Sequence, residues 1–269
     1  MNQSQNIIFG HITKTAQGIF ACMSHDTAIG QSLLVNGESG QDDLSLIKKV
    51  ANVNDSILFV GAHIGTLAIP CCYLFNQVTA IEANPETFKF LKINVILNDR
   101  KNIRVLLAAA HDEKKTIKFL ANEGNSGGSK IYPGNPHPHY FTENHKLLEF
   151  ETTRLDTLLE DKEYDVIVMD IEGSEIFALR GMPNILGKSK ILFIEWITFH
   201  LELVSCVSPE EFAEELVKYY NYVYIPGKNA IYPRSQFRAL LRVLYDEKFH
   251  QDLIVFVKDL SDAERLIGM

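Results

Sequence analysis

Residues 57–81 contain no Asp, Glu, Lys or Arg. As one continuous helix, a stretch of that length could cross a bilayer. It cannot be one helix, because it carries Gly61, Gly65 and Pro70 together with His63, Asn76 and Gln77. Glycine and proline both disfavour a helix interior. The stretch opens on the β-prone run ILFV and closes on VTAI, with a helix-like middle. It therefore reads as a buried strand, a glycine turn, a buried helix and a second buried strand. Glu82 follows at once. No membrane span is expected.

The same alternation continues along the chain. Strands are expected at 57–60, 78–81, 103–107, 166–169, 191–194, 222–225 and 253–257, with a weaker added strand at 116–120. Helices are expected at 66–75, 85–98, 155–160, 175–186 and 208–219, and an amphipathic one lies on the sheet within 234–249. Strand–helix alternation predicts an α/β fold, a parallel sheet covered on both faces. In such sheets ligands bind at the carboxyl ends of the strands. Before this core come β-prone runs at 7–12, 18–23 and 32–35, then a helix at 42–50. That helix has Asp42 and Asp43 in its first turn and Lys48 and Lys49 in its last, the order its dipole favours. The expected organisation is an extension of hairpin and helix (1–50) packed on a Rossmann-like domain (51–260), with a short tail (261–269).

Residues 122–146 hold four Gly, three Pro and three His and few large apolar side chains. A long loop in a compact domain is commonly functional, and it reads as a lid over a substrate. His137, His139 and His145 invite a metal reading, but the surrounding Pro and Gly favour the lid.

Charge narrows the partners. Of 269 residues, 34 are acidic and 26 basic, a net charge of −8. A nucleic-acid binder needs the opposite balance. The four cysteines show no CxxC spacing, which fits a reducing, cytoplasmic setting without structural zinc.

Three constellations fall at strand ends. The first is the loop from Gly61 through His63 to Gly65, with Glu82 one strand later. Glycines let a ligand approach the backbone, and an acid there accepts ribose hydroxyls. A dinucleotide loop has glycine where His63 stands, so a nicotinamide-dependent oxidoreductase ranks below a cofactor without phosphates. S-Adenosylmethionine has a ribose for Glu82 and an amino-acid tail for the loop. The second constellation is DIEGSE from Asp170, with Asp170 and Glu172 at the cleft rim. The third is Glu195 followed by His200, a candidate general base. A helix N-terminus with acids on its dipole explains part of the second, and a lone His is more often structural than catalytic. A magnesium ion among Asp170, Glu172 and Glu195 is an alternative and is not favoured.

Taken in order, these segments resemble the FkbM-type S-adenosylmethionine-dependent methyltransferases. The chain has FVGAHIG at 59–65, EANP at 82–85 and AAAHDEK at 108–114. It has SGGSK at 126–130, TRLDTLL at 153–159 and DIEGSE at 170–175. The resemblance implies a class I methyltransferase fold, a seven-stranded sheet whose last strand is antiparallel. It implies cofactor contacts from Gly61, Gly65, Glu82, Asn84 and the Ala109–Asp112 turn, which holds His111, with Asp170 facing the reaction centre. His63 and Ala83 complete the candidate set within the same turns. The implied reaction is methylation of a hydroxyl on a sugar or natural-product-like small molecule, with Asp170, Glu172 or His200, in that order, taking the proton. Two positions depart from the pattern. Phe59 replaces an Asp that orients the glycine loop, and His63 replaces an Asn. A chain that binds the cofactor without turnover is the alternative they raise. The sequence leaves the acceptor and the oligomeric state open.

Overall fold

The computed structural model describes residues 9–141, 145–160 and 162–268. The first two residues of the strand expected at 7–12, residues 142–144 of the expected lid and the last residue of the expected tail lie outside them. A hairpin of β1 (Gly10–Lys14) and β2 (Ile19–Met23) comes first. The main sheet takes β3 (Ser56–Val60), β4 (Gln77–Glu82) and β5 (Ile103–Leu107). A second sheet is built from β6 (Ala109–Ala110), β7 (Thr116–Asn122), β8 (Lys130–Ile131) and β9 (His145–Thr153). The main sheet resumes with β10 (Val166–Met169), β11 (Ile191–Ile197), β12 (Tyr222–Ile225), β13 (Ala230–Pro233) and β14 (His250–Val257).

The main sheet runs β13-β12-β14-β11-β10-β3-β4-β5. Strands β5, β4, β3, β10 and β11 are parallel, and β14 is antiparallel to both its neighbours. This is the expected mostly parallel sheet with its last strand antiparallel, with an eighth strand, β13, added at the edge. Successive side chains on a strand face opposite ways, so β3 feeds two cores. Ile57 and Phe59 pack with Val166, Val168, Ile191 and Phe193 on one face. Leu58 and Val60 pack with Ile167, Met169, Leu192 and Ile194 on the other. Burial on both faces is why these strands read as unbroken apolar runs. Val60 lies in register with Ile81 and Met169, so Gly61, Glu82 and Asp170 leave the sheet side by side.

Several local expectations change. Residues 32–35 are not a strand but the end of the helix Ile29–Val35, which buries Gly30 and Leu33. The helix expected at 66–75 is regular only over Ala68–Cys71, because Pro70 lacks an N–H for the ladder. The helix expected at 175–186 divides into Glu175–Arg180 and Pro183–Lys188 around Gly181. Residues 261–267, expected as tail, belong to the helix Leu260–Ile267, which buries Ala263 and Leu266. The expected lid is folded rather than free. It contains β8 and donates from Gly134 and Asn135 N–H to the carbonyls of Val204 and Leu203, at 3.0 and 2.9 Å. Its last residues begin β9, a nine-residue strand that its polar composition concealed. No helix among the described residues is long and apolar enough to cross a membrane.

The hairpin is joined to the core by two asparagines on the helix Pro85–Leu97 and its C-cap. Asn94 Oδ1 accepts from the Ala21 N–H at 2.6 Å, and its amide donates to Ala21 O at 3.1 Å. Asn98 repeats this with Ile19, at 2.9 and 2.7 Å. Four residues along a helix rise about 6 Å and two along a strand about 6.7 Å, so the two amides continue the ladder that β2 would otherwise leave open. Open edges of this kind invite wrong pairing. Asn94 also donates to Ile64 O at 2.9 Å, which ties the glycine loop to the hairpin. Asn94→Ala leaves these buried groups unsatisfied. The expected loss is about 2–3 kcal/mol, or roughly 5–10 °C in Tm for a chain of this size. Hydrogen exchange checks the cause: the Ala21 amide loses protection first, and unchanged protection there would refute the tether.

Candidate active site

Gly61 sits where β3 and β10 diverge toward their helices. Its φ is +88°, and a Cβ there would lie 1.8 Å from Asp170 O. Only glycine allows this approach, which seats the loop after β3 directly on the end of β10. Gly65 closes the loop at φ +94°, where a Cβ would press on Leu91 at 2.9 Å and Ile69 at 3.0 Å. Between them, His63 holds a left-handed φ of 50°, uncommon for a residue with a side chain.

Glu82 holds that loop to the next strand. Its Oε2 accepts from the His63 N–H at 2.9 Å and its Oε1 from the Asn84 N–H at 2.8 Å. Burial raises its pKa to about 7 against these backbone bonds. Each oxygen still has acceptor capacity for a ligand hydroxyl.

These elements open on a cleft of ≈460 Å³, within the range of roughly 300–1,000 Å³ usual for small-molecule sites. Its far wall is acidic. Asp170, Glu172 and Glu195 line it, with Asp43 and Asp252 at the same end. Asp170 is exposed at the cleft, which it lines. Desolvation, then repulsion from Glu172, Glu175, Asp43 and Asp252, pushes its pKa well above the ordinary range. Glu195 is raised likewise, by burial and then by Asp170 and Glu172. Asp43 is pushed up to about 7 by burial and by Asp252. Glu172 is countered by Lys130 Nζ at 2.7 Å and by His200 Nε2 at 3.3 Å. His200 Nδ1 lies 3.3 Å from Glu195 Oε2. Glu172, Glu195 and His200 bring ligand atoms within 4.8 Å, close enough to hold a cation. The imidazole, however, turns its two nitrogens to different carboxylates, and an ammonium already faces Glu172. That arrangement fits a shared-proton bridge better than a metal cage.

Gly61, His63, Glu82, Ala83, Ala109, Asp170 and Glu172 all line the cleft. Gly65, Asn84, His111 and His200 do not. Gly65 shapes the loop from below. Asn84 caps the helix Pro85–Leu97, its Oδ1 accepting from the Glu86 N–H at 3.1 Å. His111 is buried, its ring stacked on Phe177 at 4.6 Å. His200 stands behind the carboxylates it bridges. The sequence reading gave no site role to Asp43, Asp252, Ser126 or Ser174, whose Oγ has no partner among the described residues. Asp252 carried one signal: β14 is antiparallel, so its beginning returns to the carboxyl end of the sheet.

Gly61→Ala tests this construction. The added methyl meets backbone, not a flexible side chain, so β3 and β10 must separate. The variant is expected to lose both thermal stability and nucleoside binding, measured by unfolding and calorimetry. Wild-type behaviour in both would show that the close approach is not required.

The methyltransferase FkbM domain model matches residues 60–226, more than half of the chain. The chain is 29% identical over 163 residues to the hexuronic acid methyltransferase AglP of Haloferax volcanii, a match covering 58% of this chain and 61% of that protein. Among solved structures it resembles a methyltransferase FkbM from Methylobacillus flagellatus KT, with 16% identity and a TM-score of 0.40, over 76% of this chain and 43% of that one. It also resembles TYW2 from M. jannaschii in complex with AdoMet, with 13% identity and a TM-score of 0.43, over 94% and 86%. The chain thus spans less than two thirds of the curated relative it matches. With the domain match extending from the end of β3 through β12, the chain belongs to the methyltransferase FkbM domain family.

Proposed function

We propose that this protein transfers a methyl group from S-adenosylmethionine to a hydroxyl oxygen of a sugar or similar polyhydroxylated small molecule. The observation that carries this reading is the position of Glu82, a buried carboxylate pinned by two backbone N–H groups at the edge of the cleft. Its free lone pairs suit the two adjacent hydroxyls of a ribose. The loop from Gly61 to His63 and Ala83 would enclose the rest of the cofactor. The name of the AglP relative supports a carbohydrate acceptor.

When bound, S-adenosylmethionine supplies an electrophilic methyl carbon on a positively charged sulfur. The protein has to align the acceptor oxygen and receive its proton, and alignment alone supplies much of such a rate. Asp170 is the base this reading selects. It opens to the cleft, and no cation pairs with it among the described residues. Its raised proton affinity brings it nearer the range where a carboxylate works as a base near neutrality. Glu172 is already engaged by Lys130 at 2.7 Å and by His200 at 3.3 Å, so its carboxylate is less available to an acceptor. His200 becomes a positioning residue for Glu172 and Glu195. Ser174 Oγ offers the acceptor a hydrogen-bonding group. Asn125–Ser129 and Ile131 of the 122–146 segment line the cleft, and closure of that segment over a bound substrate would limit water.

The test is methyl transfer from labelled S-adenosylmethionine to a panel of neutral sugars, amino sugars and uronic acids. Label in an ether linkage supports the reading. Binding of the cofactor without product across the panel supports the alternative that Phe59 raises. With an acceptor in hand, Asp170→Asn is expected to lower kcat by roughly 10²–10⁴-fold. Asp170 must be ionised to act, so wild-type kcat falls as pH drops through its raised pKa. That acid limb lies above the ordinary Asp value of about 4 and disappears in Asp170→Asn. A pH profile unchanged by the substitution would remove Asp170 from the role.

A further inference from the structure

The cofactor loop is tied to the N-terminal extension by a chain of three side chains. His63 Nε2 lies 2.6 Å from Ser126 Oγ. Ser126 Oγ–H donates to Asp26 Oδ2. Asp26 Oδ1 in turn accepts from the Ala28 N–H at 2.9 Å. Ser126 and Asp26 are buried. Asp26 lies outside the family match, which begins at residue 60.

The protons in this chain can be assigned. A serine hydroxyl has one hydrogen, and here it goes to a carboxylate that only accepts. Ser126 Oγ can then only accept from His63, so the imidazole proton is on Nε2. A neutral imidazole with Nε2–H leaves Nδ1 as an acceptor. Enclosure of the ring lowers the His63 pKa to about 4, with Asp26 opposing, so the ring is neutral near pH 7. His63 lines the cleft beside Glu82, and no described residue donates to Nδ1. Phe59, two residues before the loop on β3, is buried in the sheet core and offers no acceptor.

Resting on the proposed function, we propose that Asp26 and Ser126 lock His63 as its Nε2–H tautomer, so that Nδ1 accepts a hydrogen bond from the ammonium of the cofactor's amino-acid tail. The extension is then part of the cofactor site. His63 is the contacting residue, and Ser126 and Asp26 are positioning residues.

The experiment is a long-range proton–nitrogen NMR spectrum of the full chain labelled with ¹⁵N-histidine, with His63 assigned through His63→Asn. The free protein is expected to show His63 as the Nε2–H tautomer. S-Adenosylhomocysteine, which keeps the tail, should shift the Nδ1 resonance. 5′-Methylthioadenosine, which lacks it, should not. By calorimetry, Ser126→Ala should weaken S-adenosylhomocysteine about tenfold and leave 5′-methylthioadenosine unchanged, with Ser126→Thr restoring the difference. An Nδ1–H tautomer, or equal shifts with both ligands, would overturn the inference while leaving the cofactor reading intact. Failure of S-adenosylhomocysteine to bind at all would overturn both.

Discussion

One carboxylate organises the carboxyl end of this sheet. Glu82 accepts backbone N–H groups from the loop after β3 and from the turn after β4. Two turns that would otherwise move independently share one anion. Burying it has a cost, visible in a pKa pushed up to about 7. The two backbone hydrogen bonds offset part of that cost, since bonds to charged groups are worth about 1.5–3 kcal/mol each. Glu82 also lines the cleft, so the group that holds the turns together stands at its edge.

Around that point the core and the loop divide the work between them. Phe59 is 2% exposed and packs against the helices on one face of the sheet. Fully burying such a ring contributes about 1.5–3 kcal/mol, while an ionised carboxylate in that environment would be destabilising unless paired. Position 59 therefore serves the core here. The polar contacts of the loop run from His63 through Ser126 to Asp26 in the extension. The extension is bound to the helix Pro85–Leu97 and its cap by a ladder of asparagine amides that also reaches Ile64 in the loop. Sheet, loop and extension are thus one mechanical unit.

Much of this was legible in the sequence. Apolar runs located all seven core strands; β3, β10 and β11, parallel and buried on both faces, leave no alternation to interpret. Gly61, Glu82 and Asp170 stood out because each directly follows such a run. What escaped notice has physical reasons. Strand β9 is polar because it belongs to a half-exposed outer sheet, and β13 is a short edge strand. His111 and Asn84 lay in the right motifs, but their side chains serve a buried stack and a helix cap. His200 read as a base from its neighbourhood, yet its two nitrogens are taken by Glu172 and Glu195. Contacts between residues 100 apart, such as Asp26 with Ser126, leave no local pattern at all.

The most direct measurement is calorimetric titration of the purified protein with S-adenosylmethionine and with NADH, at several pH values, beside Glu82→Gln. The account predicts that S-adenosylmethionine binds and NADH does not. It predicts that affinity weakens as pH falls below about 7, where Glu82 becomes protonated and loses acceptor capacity. Glu82→Gln should bind roughly 10–100-fold more weakly, without that pH dependence. Binding of NADH alone, or S-adenosylmethionine affinity indifferent to Glu82, would contradict it.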